Sequence, residues 1–220
     1  MAGCKRLVLI GDSTVCEYSR RQTTRGWGQF IQERFRDGTV KVVNLAAAGC
    51  STKTFIQEGR WRKALRQKPD YVLIQFGHND SHAPGKPEST HAAGNYKDYL
   101  RRYIDESRAI GAIPVLVTPM VRRTFDVRGK IEEGSGINDL VPYVNAMKEI
   151  SQEKHMPVID LYTSSKALAE TLGPEASATM ANSKGDLTHF NERGARAMAE
   201  LIIQELPTAV PELAKQLKSR

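Results

Sequence analysis

Ser13, Asp186 and His189 are the residues of this sequence whose types could together run a nucleophilic reaction. A serine hydroxyl attacks poorly until a base takes its proton, and a nearby carboxylate stabilises the imidazolium that results. Asp186 and His189 lie three residues apart in Gly185-Asp186-Leu187-Thr188-His189-Phe190. In a helical or turn-like segment, positions i and i+3 share one side, so Asp186 can orient His189 and His189 can serve Ser13 as base. Acyl transfer also needs donors for a tetrahedral oxyanion. The Ser13 and Gly49 backbone N–H groups and the Asn79 amide are the candidates, one such donor being worth roughly 3–4 kcal/mol of transition-state stabilisation.

These residues are far apart in the chain, so a fold must gather them. Ser13 follows the β-type run Leu7-Val8-Leu9-Ile10 through Gly11-Asp12, which reads as a strand ending in a tight turn at a sheet's carboxyl edge. Trp27, Phe30, Ile31, Arg34 and Phe35 fall at helical spacing and predict a helix packed on that strand. A second strand, Val40 to Leu45, leads into the small-residue loop Ala46-Ala47-Ala48-Gly49-Cys50-Ser51, where backbone can approach a ligand closely. A helical stretch through Arg60, Trp61 and Leu65 precedes a third strand, Tyr71 to Phe76, which ends at Gly77-His78-Asn79-Asp80. After a Pro/Gly/Ser-rich loop from Ser81 to Gly94, a long amphipathic helix runs to Gly111, and a fourth strand spans Ile113 to Val117.

Met120 to Asn138 shows no clear period, as functional or mobile loops do. A helix from Asp139 to His155, a short strand Val158 to Leu161, a further helix, a loop through Gly173-Pro174 and Gly185, and a final helix from about Asn191 to Leu206 follow. The tail 207–220 reads as a short helix or a frayed end. This alternation predicts a three-layer α/β/α fold, flavodoxin-like, with a five-stranded parallel sheet and helices on both faces. The polar strand ends at Ser13, Gly49 and Asn79 then share one rim.

Composition limits the alternatives. A chain of 220 residues, 40% hydrophobic and 26% charged, suits one domain, 1–220, with a core that needs no disulfide or metal staple. Its net charge of +7 is compatible with a soluble basic surface or an anionic ligand. Cys4, Cys16 and Cys50 are odd in number and lack metal-ligand spacing, so they read as reduced thiols packed as small hydrophobes. The absence of an apolar run of membrane-span length or a secretion-signal core reads as cytoplasmic, with secretion the alternative for a chain whose leader has been removed. Neither GxGxxG nor a Walker-type Lys follows the first strand, and no GxSxG is present. No nucleic-acid-binding module is recognisable, and no membrane partner is expected. His78, His82 and His91 lie in or beside a Pro/Gly-rich loop that would not align their rings on a metal. No metal and no organic cofactor are expected.

Gly11-Asp12-Ser13, Gly49 after Asn44-Leu45-Ala46, Gly77-His78-Asn79-Asp80, and Asp186-Leu187-Thr188-His189 together resemble the four sequence blocks of the SGNH (GDSL-type) hydrolases. Gly11-Asp12-Ser13-Thr14-Val15 with Tyr18, Gly26-Trp27-Gly28-Gln29, and Thr188-His189-Phe190-Asn191 with Gly194 are similar to the rhamnogalacturonan acetylesterase branch. The resemblance implies Ser13 as nucleophile, Asp186 and His189 as its partners, and Ser13, Gly49 and Asn79 as oxyanion donors. It implies an esterase that removes acetyl groups from pectic oligosaccharides. An acetylesterase for another sugar, such as acetylated xylo-oligosaccharides, and a catalytically silent carbohydrate-binding module are the alternatives. Asp12 reads as structural. Basic clusters at Arg20, Arg21 and Arg25, at Arg60, Arg62 and Lys63, and at Arg122 and Arg123 all follow strand ends. His78, Arg122 and Arg123 are therefore the expected substrate-binding residues, the two arginines for substrate carboxylates and His78 to orient the same rim. The sequence leaves the oligomeric state open.

Overall fold

The computed structural model describes residues 3–134 and 139–219. Five strands, β1 (Lys5–Gly11), β2 (Val40–Asn44), β3 (Tyr71–Gln75), β4 (Ile113–Val117) and β5 (Val158–Ile159), pair in parallel in the order β2-β1-β3-β4-β5. This is the flavodoxin-like order, with its switch point between β1 and β3. Leu7, Val8, Leu9 and Ile10 are all at most 1% exposed, which explains why β1 reads as continuously apolar rather than alternating. Leu7 and Leu9, with Leu73, Val115 and Val117, belong to one core; Val8 and Ile10, with Val72, Ile74 and Leu116, belong to the other.

The two cores match the two helical layers. The first is covered by α6 (Glu192–Ala209), through Ala195, Met198, Ala199, Ile202 and Leu206. The second is covered by α2 (Arg60–Leu65), α3 (Asn95–Ala109) and α4 (Val141–Glu153), with Trp61, Tyr96, Leu100, Tyr103 and Met147 inward. Helix α1 (Thr52–Gln57) adds Phe55 to that layer.

The structure departs from the sequence expectations in three places. The segment Trp27–Arg34 forms two short 3-10 turns, Trp27–Phe30 and Gln32–Arg34, instead of one α-helix. Its backbone is pressed onto the turn after β1: a Cβ on Gly26 would lie 2.2 Å from Cys16 O, and one on Gly28 2.5 Å from Val15 O. Helix α1 starts directly at Ser51, whose hydroxyl accepts the Thr54 N–H in a capping arrangement. Helix α5 (Leu161–Ala178) continues through the expected Gly173-Pro174 loop, kinking where Gly173 adopts φ 74° and resuming at Pro174. Of the two forms expected for the tail, the short helix is the one present, as α7 (Pro211–Ala214), and it is tied down by the Lys218 N–H on Arg34 O and the Arg36 N–H on Gln216 O. The loop that was expected to run from Met120 to Asn138 has its last four residues outside the described ones; before them, Phe125 and Ile131 pair in a short antiparallel bridge.

Candidate active site

The turn that carries Ser13 is built by crowding. A Cβ on Gly11 would sit 2.6 Å from both Gln75 O and Val15 Cγ2, so only glycine lets β1 end this close to β3. Asp12 then turns inward, wholly buried, and its Oδ1 accepts the Thr14 N–H at 2.9 Å and the Thr14 hydroxyl at 2.7 Å. Its burial pushes the carboxyl up, but the His78 ring beside it and the hydrogen bonds from Thr14 outweigh that and hold it below the usual carboxylate range. With Asp12 facing in, Ser13 faces the rim, its carbonyl held by the Tyr18 hydroxyl at 2.9 Å.

Ser13, His189 and Asp186 come together although 176 residues separate the first two. Ser13 Oγ lies 3.0 Å from His189 Nε2, and His189 Nδ1 lies 2.9 Å from Asp186 Oδ2. Asp186 Oδ1 accepts the backbone N–H groups of Thr188 and His189, each at 2.7 Å. Burial raises the Asp186 carboxyl, but those two N–H groups and the His189 ring outweigh it, so the net direction is downward and the group is an anion at neutral pH. An anion opposite Nδ1 fixes the imidazole proton there, leaving Nε2 to accept from the Ser13 hydroxyl.

The loops carrying the expected oxyanion donors are tied to that turn. The Ala47 N–H donates to Gly11 O at 2.9 Å, and Asn79 Nδ2 donates to Cys50 O at 2.8 Å. Gly49 stands at φ 79°, a left-handed conformation that glycine adopts without strain, and nothing lies near its missing Cβ. Its demand is therefore conformational. Among the described residues, the Ser13 and Gly49 N–H groups donate to no other group of the chain, and Asn79 retains one amide hydrogen beyond its bond to Cys50 O. Three donors thus remain available at the sheet rim, as a developing oxyanion requires.

The model of the GDSL-like lipase/acylhydrolase family matches residues 9–197, which contain all of these groups. The chain belongs to that family. Relatives of this GDSL-like hydrolase include the rhamnogalacturonan acetylesterase RhgT of Bacillus subtilis, 36% identical over 98% of this chain and 95% of the relative. The probable rhamnogalacturonan acetylesterase YesY of the same organism is 36% identical over 94% of this chain and 95% of its own. Among solved structures, Bacillus subtilis YxiM superposes with a TM-score of 0.80 at 30% identity, over 93% of this chain and 56% of that one. A catalytic mutant of an acetylxylan esterase from Geobacillus stearothermophilus shares the fold, with a TM-score of 0.75 and 21% identity over 100% and 99% of the two chains.

Two expected substrate-binding residues of the GDSL-like hydrolase point inward instead. His78 is 2% exposed, with Nε2 donating to Met120 O at 3.1 Å and Nδ1 3.4 Å from Asp12 Oδ2. Burial drives its imidazole below the ordinary range, with the Asp12 carboxylate opposing it, so it is a brace between the ends of β1 and β4 and not a rim group. Arg123 is 4% exposed and turns its guanidinium to the carbonyls of Asp186 and His189. Its remaining donor, Nη1, is buried away from solvent and so from a substrate carboxylate. Arg122 is only partly buried, but donates to the Thr188 hydroxyl at 2.6 Å and to His78 O at 3.0 Å. In the first basic cluster, the Arg25 guanidinium holds loop carbonyls, including those of Ser19 and Thr24.

Sequence reasoning also missed a buried chain of donors beneath Ser13. Trp27 Nε1 donates to Gln75 Oε1 at 2.7 Å, Gln75 Nε2 donates to Thr14 Oγ1 at 2.6 Å, and the Thr14 hydroxyl donates to Asp12 Oδ1 at 2.7 Å. The available signal was Gln75 itself, a lone amide at the end of the apolar run Tyr71-Val72-Leu73-Ile74. A buried amide must find partners.

Proposed function

We propose that this protein is a serine esterase that removes acetyl groups from carbohydrate, with acetylated rhamnogalacturonan oligosaccharides as its substrates. The reading rests first on the hydrogen-bonded line Ser13–His189–Asp186, set beside N–H donors that bond to no other described residue. It is supported by 36% identity over nearly the whole chain to proteins named as rhamnogalacturonan acetylesterases. In this scheme His189 Nε2 takes the Ser13 proton as Oγ attacks the acetyl carbonyl carbon. The carbonyl oxygen becomes an oxyanion between the Ser13 and Gly49 N–H groups and the Asn79 amide. His189 then gives its proton to the departing sugar oxygen, leaving an acetyl group on Ser13. Water, deprotonated by the same histidine, attacks that ester; acetate leaves and Ser13 regains its proton. Asp186 stays ionised throughout and stabilises the imidazolium.

The test is acetate release from acetylated rhamnogalacturonan oligosaccharides, acetylated xylo-oligosaccharides and p-nitrophenyl acetate, by the intact protein and by Ser13→Ala. The reading predicts Ser13-dependent release with the highest kcat/KM on the pectic substrate. Equal or better turnover of the xylo-oligosaccharides keeps the serine mechanism and overturns the pectic assignment. No Ser13-dependent release from any ester overturns the enzyme reading in favour of a carbohydrate-binding module.

A further inference from the structure

We propose that Arg122 and Arg123 are positioning residues, which together fix the loop carrying Asp186 and His189 against the turn carrying Asn79. The proposal rests on the serine-esterase reading above. Arg123 fastens the loop from within: its backbone N–H donates to Leu187 O at 2.8 Å, and its Nη2 donates to Asp186 O at 2.9 Å and His189 O at 3.0 Å. Its Cζ lies 4.2 Å from the centroid of the Phe190 ring, so the guanidinium plane is clamped between the loop carbonyls and an aromatic face. One residue therefore captures three carbonyls of the four-residue stretch that bears the carboxylate and the imidazole.

Arg122 sets the distance between the two halves of the site. Its Nη1 donates to Thr188 Oγ1 at 2.6 Å and its Nη2 to His78 O at 3.0 Å. Thr188 adjoins His189, and His78 adjoins Asn79. A single rigid fork thus joins the residue next to the base to the residue next to an oxyanion donor. Oxyanion stabilisation depends on donors standing within about 2.7–3.1 Å of the developing charge, so the length of this strut bears directly on the rate. Both guanidinium groups are also imperfectly matched: Arg122 Nε and Arg123 Nη1 are buried without a hydrogen-bond partner among the described residues. Burial pulls both groups below the ordinary arginine range, with the Asp186 charge opposing it in each case. Desolvated, incompletely paired arginines are a costly way to fill space; what they supply here is placement.

A neutral substrate separates this role from binding of a substrate carboxylate. Arg122→Ala, compared with the wild type on p-nitrophenyl acetate, is expected to lose about 100-fold in kcat, the scale of a displacement of roughly 1 Å in a catalytic group. KM and the unfolding temperature should stay near wild type. Arg122 borders a surface cavity of about 400 Å³, so millimolar guanidinium ion should restore part of the lost rate in Arg122→Ala and none in His189→Ala. Wild-type kcat on the neutral ester, with KM raised only on acidic oligosaccharides, overturns the proposal and makes Arg122 a substrate ligand. If Arg122→Ala does not fold, Arg122→Gln, which keeps one donor, takes its place, and wild-type kcat in that variant is equally fatal. Ser13→Ala is run in parallel. Full turnover without Ser13 overturns the serine-esterase reading and this proposal with it, whereas Ser13-dependent turnover untouched by the Arg122 variants overturns this proposal alone.

Discussion

Replacing Asp186 by asparagine separates its two duties, holding a loop and choosing a tautomer. Asp186 accepts three hydrogen bonds: two at Oδ1 from the Thr188 and His189 N–H groups, and one at Oδ2 from the His189 ring. An asparagine can keep its oxygen on the two backbone donors, which places its NH2 against His189 Nδ1. Two donors then face each other, and the imidazole relieves the clash by moving its proton to Nε2. That nitrogen would then donate toward Ser13 Oγ, and the base would be lost. In the shifted tautomer Asp186→Asn keeps all three bonds and costs little stability, whereas at about 1 kcal/mol per lost bond Asp186→Ala costs roughly 3 kcal/mol. In a chain of this length, about 2–4 °C of unfolding temperature corresponds to each kcal/mol. The kinetic effect is far larger: a wrong-tautomer histidine costs about 10⁴-fold in kcat, or roughly 5 kcal/mol of barrier. The assay is kcat on p-nitrophenyl acetate beside thermal unfolding of the same preparations. An Asp186→Asn protein that retained more than about a tenth of wild-type kcat would refute the tautomer argument.

Three further outcomes follow from the structure. Gly49→Ala forces a side chain into the left-handed region at φ 79°, so it should cost about 1–2 kcal/mol of stability and, by moving an oxyanion N–H, about 10²-fold in kcat; an alanine variant with wild-type kcat would remove Gly49 from the oxyanion hole. Gln75→Leu leaves Trp27 Nε1 and Thr14 Oγ1 buried without their partner, which predicts a loss of about 2–3 kcal/mol in denaturant unfolding; an unchanged midpoint would mean that the chain beneath the nucleophile is dispensable. Asp80 is fully buried, and burial pushes its carboxyl up to about 7 against the hydrogen bonds from Thr52 and Thr90. The folded state therefore binds a proton that the unfolded chain has released above the ordinary value of 3.8. Its stabilising contribution is full below that value, declines as pH rises toward 7, and is gone above it. Asp80→Asn should flatten that decline in unfolding temperature between pH 4 and 7, and an identical slope in both proteins would contradict it.

The sequence made legible those parts of the site that depend on local chemistry. Ser13, Gly49 and Asn79 each follow a strand-length apolar run, so a parallel sheet must deliver them to one rim. Asp186 and His189 are three residues apart, and their contact needs only the turn that Asp186 itself caps. What stayed hidden depends on partners remote in the chain. A pair of arginines after a strand looks the same whether it faces a substrate or the carbonyls of a loop more than 60 residues later. The Trp27–Arg34 segment has helical spacing, yet its glycines press it onto Val15 and Cys16 too tightly for a full α-helix. Helix α5 runs through Gly173-Pro174 because a proline suits the first turn of the resumed helix as well as it suits a loop.

Reaction of Ser13 with a serine-directed organophosphorus ester, located by peptide mass spectrometry, tests the central claim most directly. Nucleophilic activation of Ser13 by His189 predicts a single label on the Ser13 peptide at one per chain, with labelling nearly abolished in His189→Ala. Labelling at another residue, or at the same rate in His189→Ala, would contradict it.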